Sequence, residues 1–249
     1  MNKLEKITSV KNAKILEILE LKKIRIQKQE KKYIVEGFNL VQEGMKNGVV
    51  ELILGTKKYS GLIDEEKFIE ITDNVANKLS DLTNTQEIFA VCNFKPKDFN
   101  DSNVLVLDDI QDPGNLGTLI RSAYAFGFEN ILCSEKTVWI YNQKVLRATQ
   151  GNHFQLNFKI GILEEEMKKL KENNFIILGT SLNLDNNIDI TTLKDKKIAL
   201  VLGNEGQGVS ESIKNICDYN IVLKTNKNVD SLNVSVAGSI IMNNIYSNS

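Results

Sequence analysis

Apolar positions in this chain follow two alternating rhythms. Over 13–21 and 38–47 they return every three or four residues, as on one face of a helix, and around 33–36, 51–54, 68–71 and 88–93 they form short strand-like runs. This predicts a small α/β unit. From Val104 the runs are VLVL (104–107), NILCS (130–134), FIILG (175–179), KIALVLG (197–203) and YNIVL (219–223), separated by helical stretches at 115–126, 141–149, 163–172 and 231–246. Near-continuous apolar strands alternating with helices predict a mainly parallel sheet covered on both faces. Between the two patterns lies KPKDFNDSN (95–103), polar, without periodicity and holding one of only two prolines. The expected organisation is an N-terminal α/β domain over 1–95, a linker over 96–103 and a C-terminal α/β domain over 104–249.

A chain of 249 residues has room for two cores without disulfides or metal. Apolar residues at 42% and charged residues at 25% are ordinary for a soluble protein. No run reaches the length of about 18 apolar residues that a membrane helix needs, and the start, MNKLEKITSVKNAK, is polar where a signal peptide would be apolar. The expectation is a cytoplasmic protein without membrane contact. Cys92, Cys133 and Cys217 are odd in number and in no metal-ligand spacing, so neither a disulfide framework nor a metal site is expected. The single histidine, His153, reads as structural and removes most mechanisms built on histidine.

The net charge of −1 gives no reason to expect a nucleic-acid partner, but its distribution does. Residues 1–32 carry +6 and the remainder −7. A basic segment in a near-neutral protein is either a phosphate-binding face or a solvated helix face.

In open parallel sheets, ligands gather beyond the C-terminal strand ends, which directs attention to three loops. The first, LDDIQDPGNLGTLIRSAYAFG (107–127), runs through an acidic turn and Pro113-Gly114 into a helix, with Asn115 at its start and Arg121 two turns in. Taken singly, these read as an N-cap and a surface charge. The second, LVLGNEGQGVS (200–210), ends a buried strand in three glycines around Asn204 and Glu205. Its Gly-x-x-Gly-x-Gly order fits neither the dinucleotide fingerprint nor a phosphate loop ending in Lys-Ser/Thr, which disfavours NAD and ATP. The third, IVLKTNKNVDSLNVSVAGSII (221–241), opens a helix of small residues at Ser231, Leu232 and Asn233, where Ser231 alone would read as an N-cap.

Together and in this order, the three segments resemble the signature motifs of the SpoU/TrmH family of SPOUT ribose 2′-O-methyltransferases. The resemblance spans roughly 104–246. The stretch ITSVKNAKILEILELKK and, further on, YIVEGFNLVQEG is similar to that family's substrate-binding domain, which is like a small ribosomal protein. The resemblance implies a deep trefoil knot in the C-terminal domain, S-adenosyl-L-methionine as methyl donor, no metal, RNA as substrate and a homodimer formed through the C-terminal domain. It implies donor binding by Gly203, Asn204, Gly208, Leu223 and Leu232, and a polar catalytic set of Asn115, Arg121, Glu205, Ser231 and Asn233. Large-subunit (23S) ribosomal RNA is the expected substrate, with transfer RNA second.

Arg147, in RATQG (147–151), matches a family segment in which a basic residue precedes a hydroxyl residue and a glycine, with Thr149 where serine is usual. It joins Lys22, Lys23, Arg25, Lys28, Lys31 and Lys32 as candidates for RNA phosphate contact. At 223–227, Leu-Lys-Thr-Asn-Lys stands where the family has Ile-Pro-Met and then glycine, so Lys224 and Lys227 alter one donor-binding loop. That departure motivates an alternative, an RNA-binding or ribosome-assembly protein of the same fold with impaired catalysis.

Overall fold

The computed structural model describes residues 5–63, 65–180, 186–226, 228 and 231–248. In chain order the elements are β1 (Lys6–Ile7), α1 (Ala13–Glu20), α2 (Ile24–Glu30), β2 (Lys32–Glu36), α3 (Phe38–Lys46), β3 (Val50–Gly55), β4 (Phe68–Ile71), α4 (Asp73–Leu79) and β5 (Ile88–Asn93). There follow β6 (Val104–Asp108), α5 (Pro113–Ala125), β7 (Asn130–Ser134), α6 (Gln143–Thr149), β8 (Asn157–Gly161), α7 (Leu163–Glu172), β9 (Ile176–Thr180), β10 (Ile198–Gly203), α8 (Glu211–Lys214), β11 (Tyr219–Ile221) and α9 (Val234–Ser247).

Two compact units result, one of residues 1–95 with 139–154 and one of 96–138 with 155–249. The first holds a mixed sheet in the order β1-β4-β3-β5-β2, parallel from β1 to β3 and antiparallel at β5. The sequence reading placed 139–154 within the C-terminal domain; in the structure this segment packs in the first unit. Leu146 and Phe154 join Tyr33, Val35, Leu40 and Cys92 in its core, and Gln143 Nε2 donates to the Ile34 carbonyl at 2.7 Å. Burying a leucine such as Leu146, fully inaccessible here, is worth about 1.5–3 kcal/mol, which periodicity within 141–149 alone could not assign to either core.

The second unit is an all-parallel sheet in the order β11-β9-β10-β6-β7-β8. Every residue of β6 and β10 is buried, as a central strand covered on both faces requires. The chain steps from β6 out to β7 and β8 and later inserts β10 on the other side of β6. The strand order thus reverses at β6 and β10, and such a topological switch point is where open parallel sheets take their ligands. Register pairs Asp108 with Gly203 at that edge.

Two helix starts differ from expectation. Helix α5 begins at Pro113 because Asp112, not Asn115, is its N-cap, accepting from Asn115 N at 2.8 Å. Helix α9 begins at Val234, since Asn233 Oδ1 accepts from Ser235 N at 2.9 Å and Val236 N at 3.3 Å. Gly238 lets α9 close on its neighbours: a methyl group there would come within 2.5 Å of Leu202 and 2.7 Å of Leu119.

Candidate active site

Hydrogen bonds between the loops that follow β6 and β10 and the start of α9 bring together three of the five predicted catalytic side chains. Asn115, in the first turn of α5, donates from Nδ2 to Glu205 Oε1 at 3.1 Å and accepts at Oδ1 from Asn233 Nδ2 at 2.9 Å. One amide thus ties the second loop to the start of α9. Glu205 also accepts from the backbone N–H of Asp112 at 3.0 Å and of Gln111 at 3.2 Å. Partial desolvation pulls its carboxyl upward, but the bonds from Asn115, Asp112 and Gln111 outweigh that and hold it below the usual glutamate range.

The glycine loop is shaped by Asn204. Its Oδ1 accepts from Gly206 N at 2.9 Å and Gln207 N at 3.1 Å, while its Nδ2 donates to the Asp109 carbonyl at 2.9 Å. The chain returns through Gly208, at φ +71°, so closely that a Cβ on Gly203 would lie 2.1 Å from the Gly208 carbonyl carbon and the Val209 nitrogen. Only glycine fits beneath that turn. The loop presents Gly206, Gln207 and Gly208 as exposed backbone. Leu232, 36% exposed just before α9, and the half-buried Leu223 after β11 add apolar surface.

Arg121 and Ser231 stand apart from the amide relay. Arg121 is exposed and, among the described residues, its side chain makes no hydrogen bond or ion pair. Six residues beyond Asn115, it projects from α5 in a direction about 120° away from that of Asn115. Ser231 and Lys224 are exposed, and Lys227 lies outside the described residues. A cavity of about 570 Å³ borders the loop at Asn204, Gln207 and Gly208, but Asn115, Arg121, Glu205 and Asn233 do not line it.

In the first unit the seven candidate phosphate contacts separate by their partners. Lys22 pairs with Asp81 at 2.6 Å, Lys23 with Glu20 at 2.7 Å and Lys32 with Glu51 at 2.8 Å. Arg25, Lys28 and Lys31 are exposed and without a carboxylate partner among the described residues. Arg147 is half-buried on α6, its Nη1 buried without a hydrogen bond. The neighbouring Thr149 is wholly buried, its hydroxyl engaged with the Leu146 carbonyl at 2.8 Å and His153 Nδ1 at 2.9 Å. That hydroxyl serves the core.

Sequence reasoning passed over the backbone of Gln111 and Asp112, whose only signal was the acidic turn before Pro113. It also passed over Trp139, although this is the one tryptophan of the chain and stands two residues before Tyr141.

Residues 102–243 match the model of the SpoU rRNA methylase family, and residues 12–90 match that of an MRM3-like substrate binding domain. A Bacillus subtilis protein, 23S rRNA (guanosine(2553)-2′-O)-methyltransferase RlmP, is 31% identical over 96% of this chain and 98% of its own length. The structure of an AdoMet-bound rRNA methyltransferase from Sinorhizobium meliloti superposes with a TM-score of 0.85, covering 96% of each chain at 21% identity. That of the SpoU methyltransferase AviRb from Streptomyces viridochromogenes with AdoMet gives 0.83 over 95% of this chain and 98% of that one, at 19% identity. At such identities the two structures establish a shared fold.

Proposed function

The chain belongs to the SpoU rRNA methylase family, and we propose that it methylates a ribose 2′-oxygen of large-subunit ribosomal RNA, with S-adenosylmethionine as donor. It is an RNA methyltransferase. The observation that carries the site assignment is the relay Glu205–Asn115–Asn233, which joins three separate loops at the switch point of the parallel sheet.

The residues present suit the donor. Exposed Leu232 and half-buried Leu223 offer apolar contact for an adenine ring, and the tight turn over Gly203 offers close-lying backbone donors and acceptors. When bound, the donor supplies an activated methyl group on a sulfonium, which moves to an oxygen without a metal. The protein has to place the ribose hydroxyl in line and ease loss of its proton.

Arg121, with no partner within the described chain, is assigned to the 2′-oxygen. A guanidinium keeps its protons at any working pH, so it orients the oxygen and stabilises its growing negative charge instead of acting as base. Glu205 is equally unsuited to take the proton, because its oxygens are engaged and its carboxyl is held ionised. Its work is to fix the loop. Ser231, beside Leu232, completes the polar set.

The second unit is thus assigned to catalysis and the first to RNA binding, through Lys22, Lys23, Arg25, Lys28, Lys31, Lys32 and Arg147. A homodimer through the second unit is supported by the apolar stripe on and just before α9, where Leu232, Val236 and Ile240 repeat every four residues at 36%, 47% and 40% exposure. A knotted topology of this unit belongs to the same proposal.

The test is to map 2′-O-methyl positions by mass spectrometry in ribosomal and transfer RNA from cells with and without the gene, alongside methyl transfer by the purified protein. One ribosomal position losing its methyl group is the expected result. Unchanged maps together with no donor binding by calorimetry would overturn the proposal and leave an RNA-binding role.

A further inference from the structure

A run of aromatic rings leads from the core of the first unit to its surface. Buried Tyr33 lies 4.3 Å, centroid to centroid, from Tyr141; Tyr141 stacks on Phe94 at 4.4 Å and meets Trp139 edge-on at 5.5 Å. Phe94, Trp139 and Tyr141 are only partly covered. The indole is held in place: its Nε1 donates to Gln27 Oε1, and buried Gln27 in turn donates to the Leu21 carbonyl at 2.7 Å. A core in want of filling would bury this indole. Here it stands at the edge, fixed in orientation, with Lys28 Nζ 4.8 Å from the ring centroid.

Positive charge predominates along and just after α2, whose one carboxylate is Glu30. Arg25, Lys28 and Lys31 follow at intervals of three along and just after α2, and among the described residues no carboxylate neutralises any of them. Partly open rings beside unpaired cations are what an unstacked nucleotide requires, a π-face for the base and positive charge for the phosphates on either side. A double helix offers no free base face and would use only the cations.

We propose that this corner of the first unit binds an unpaired stretch of the RNA substrate, one base stacking on Trp139 while the flanking phosphates meet Arg25, Lys28 and Lys31. Lys28 covers the indole in the free protein and moves to a phosphate when a base takes its place. The proposal rests on the RNA-substrate reading above and adds to it a single-stranded element and the residue that receives its base.

Trp139 is the sole tryptophan, so the native protein reports on its own site. Titration with a short unstructured RNA oligonucleotide is expected to quench its fluorescence. An abasic oligonucleotide of equal charge should bind weakly without quenching, and a duplex should bind without quenching. With a labelled oligonucleotide followed by polarisation, Trp139→Leu is expected to lose roughly 5- to 150-fold in affinity and Trp139→Phe much less. Lys28→Met and Lys31→Gln should each flatten the salt dependence by about 0.7 in slope. Equal quenching by intact and abasic oligonucleotides would overturn the stacking claim, as would no quenching at all. If the same preparation methylates ribosomal RNA while the indole stays silent, this proposal falls and the enzymatic reading stands; quenching without methyl transfer to any RNA gives the converse.

Discussion

Asn115 Nδ2 lies 3.1 Å from Glu205 Oε1, and this contact makes the first and second loops one structure. Because the same amide accepts from Asn233 at 2.9 Å, the N-terminus of α9 is held by it as well. Hydrogen bonds to a charged partner contribute about 1.5–3 kcal/mol, so Asn115→Ala is expected to lower kcat/KM by roughly 10- to 100-fold while the fold persists. Asn115→Asp should be worse, since it sets a second carboxylate against Glu205. In the native protein Glu205 stays ionised below the ordinary glutamate range, and activity that depends on the ionised form falls only as pH drops through that lowered value. In Asn115→Asp the repulsion raises the value, and the acid limb of the pH–rate profile should move to higher pH. An acid limb at the native position would separate Asn115 from Glu205.

Among the described residues the exposed Arg121 side chain makes no hydrogen bond or ion pair that its loss would break. Arg121→Ala is therefore expected to leave the melting temperature and donor binding unchanged while lowering single-turnover methyl transfer by roughly 10²–10⁴-fold. Arg121→Lys should recover only part, because an ammonium lacks the planar fork. Native rates in Arg121→Ala would remove it from the reaction.

Much of the sheet of the second unit was legible because its strands are buried on both faces. IALVLG and VLVL are unbroken apolar runs of strand-forming residues, as strands covered on both faces require. Strand β8 was missed because NFKIG buries only Asn157 completely, and an edge strand need not be apolar. Helix α2, IRIQKQE, was missed because its one buried residue is Gln27, a polar side chain whose burial depends on Trp139 more than 100 residues away. The placement of 139–154 was hidden for the same reason, since its partners Tyr33 and Ile34 are remote in sequence. In the site, the motifs identified Asn115, Glu205 and Asn233 one by one. What periodicity could not supply was that a single amide joins them, or that Asn204 is turned inward to shape the loop.

Ile240, 40% exposed on α9, tests the homodimer. In a monomer such a residue costs nothing to replace, whereas at the centre of an apolar interface a lysine brings an unpaired charge out of water. Ile240→Lys is expected to shift the protein from dimer to monomer in sedimentation velocity while each chain keeps its native circular dichroism. A native protein that sediments as a monomer would remove the homodimer, and a variant that remains dimeric would place its interface elsewhere.

His153 sets a pH dependence in the first unit that is independent of catalysis. Burial drives its pKa down to about 3, while its ring sits 2.9 Å from Thr149 Oγ1 and 3.4 Å from Tyr33 Oη. The unfolded chain binds that proton near pH 6.5 and the folded chain does not, so the unfolded state holds more protons throughout the interval between. Stability contributed by the neutral ring is complete above about pH 6.5 and declines as pH falls towards about 3, with a limiting slope of roughly 1.4 kcal/mol per pH unit. Denaturant unfolding between neutral and mildly acidic pH should show that slope in the native protein. His153→Gln, which keeps hydrogen-bonding capacity without a titrating ring, should be less stable at neutral pH yet lose less on acidification. Equal slopes in the two proteins would assign the acid sensitivity to the carboxylates instead.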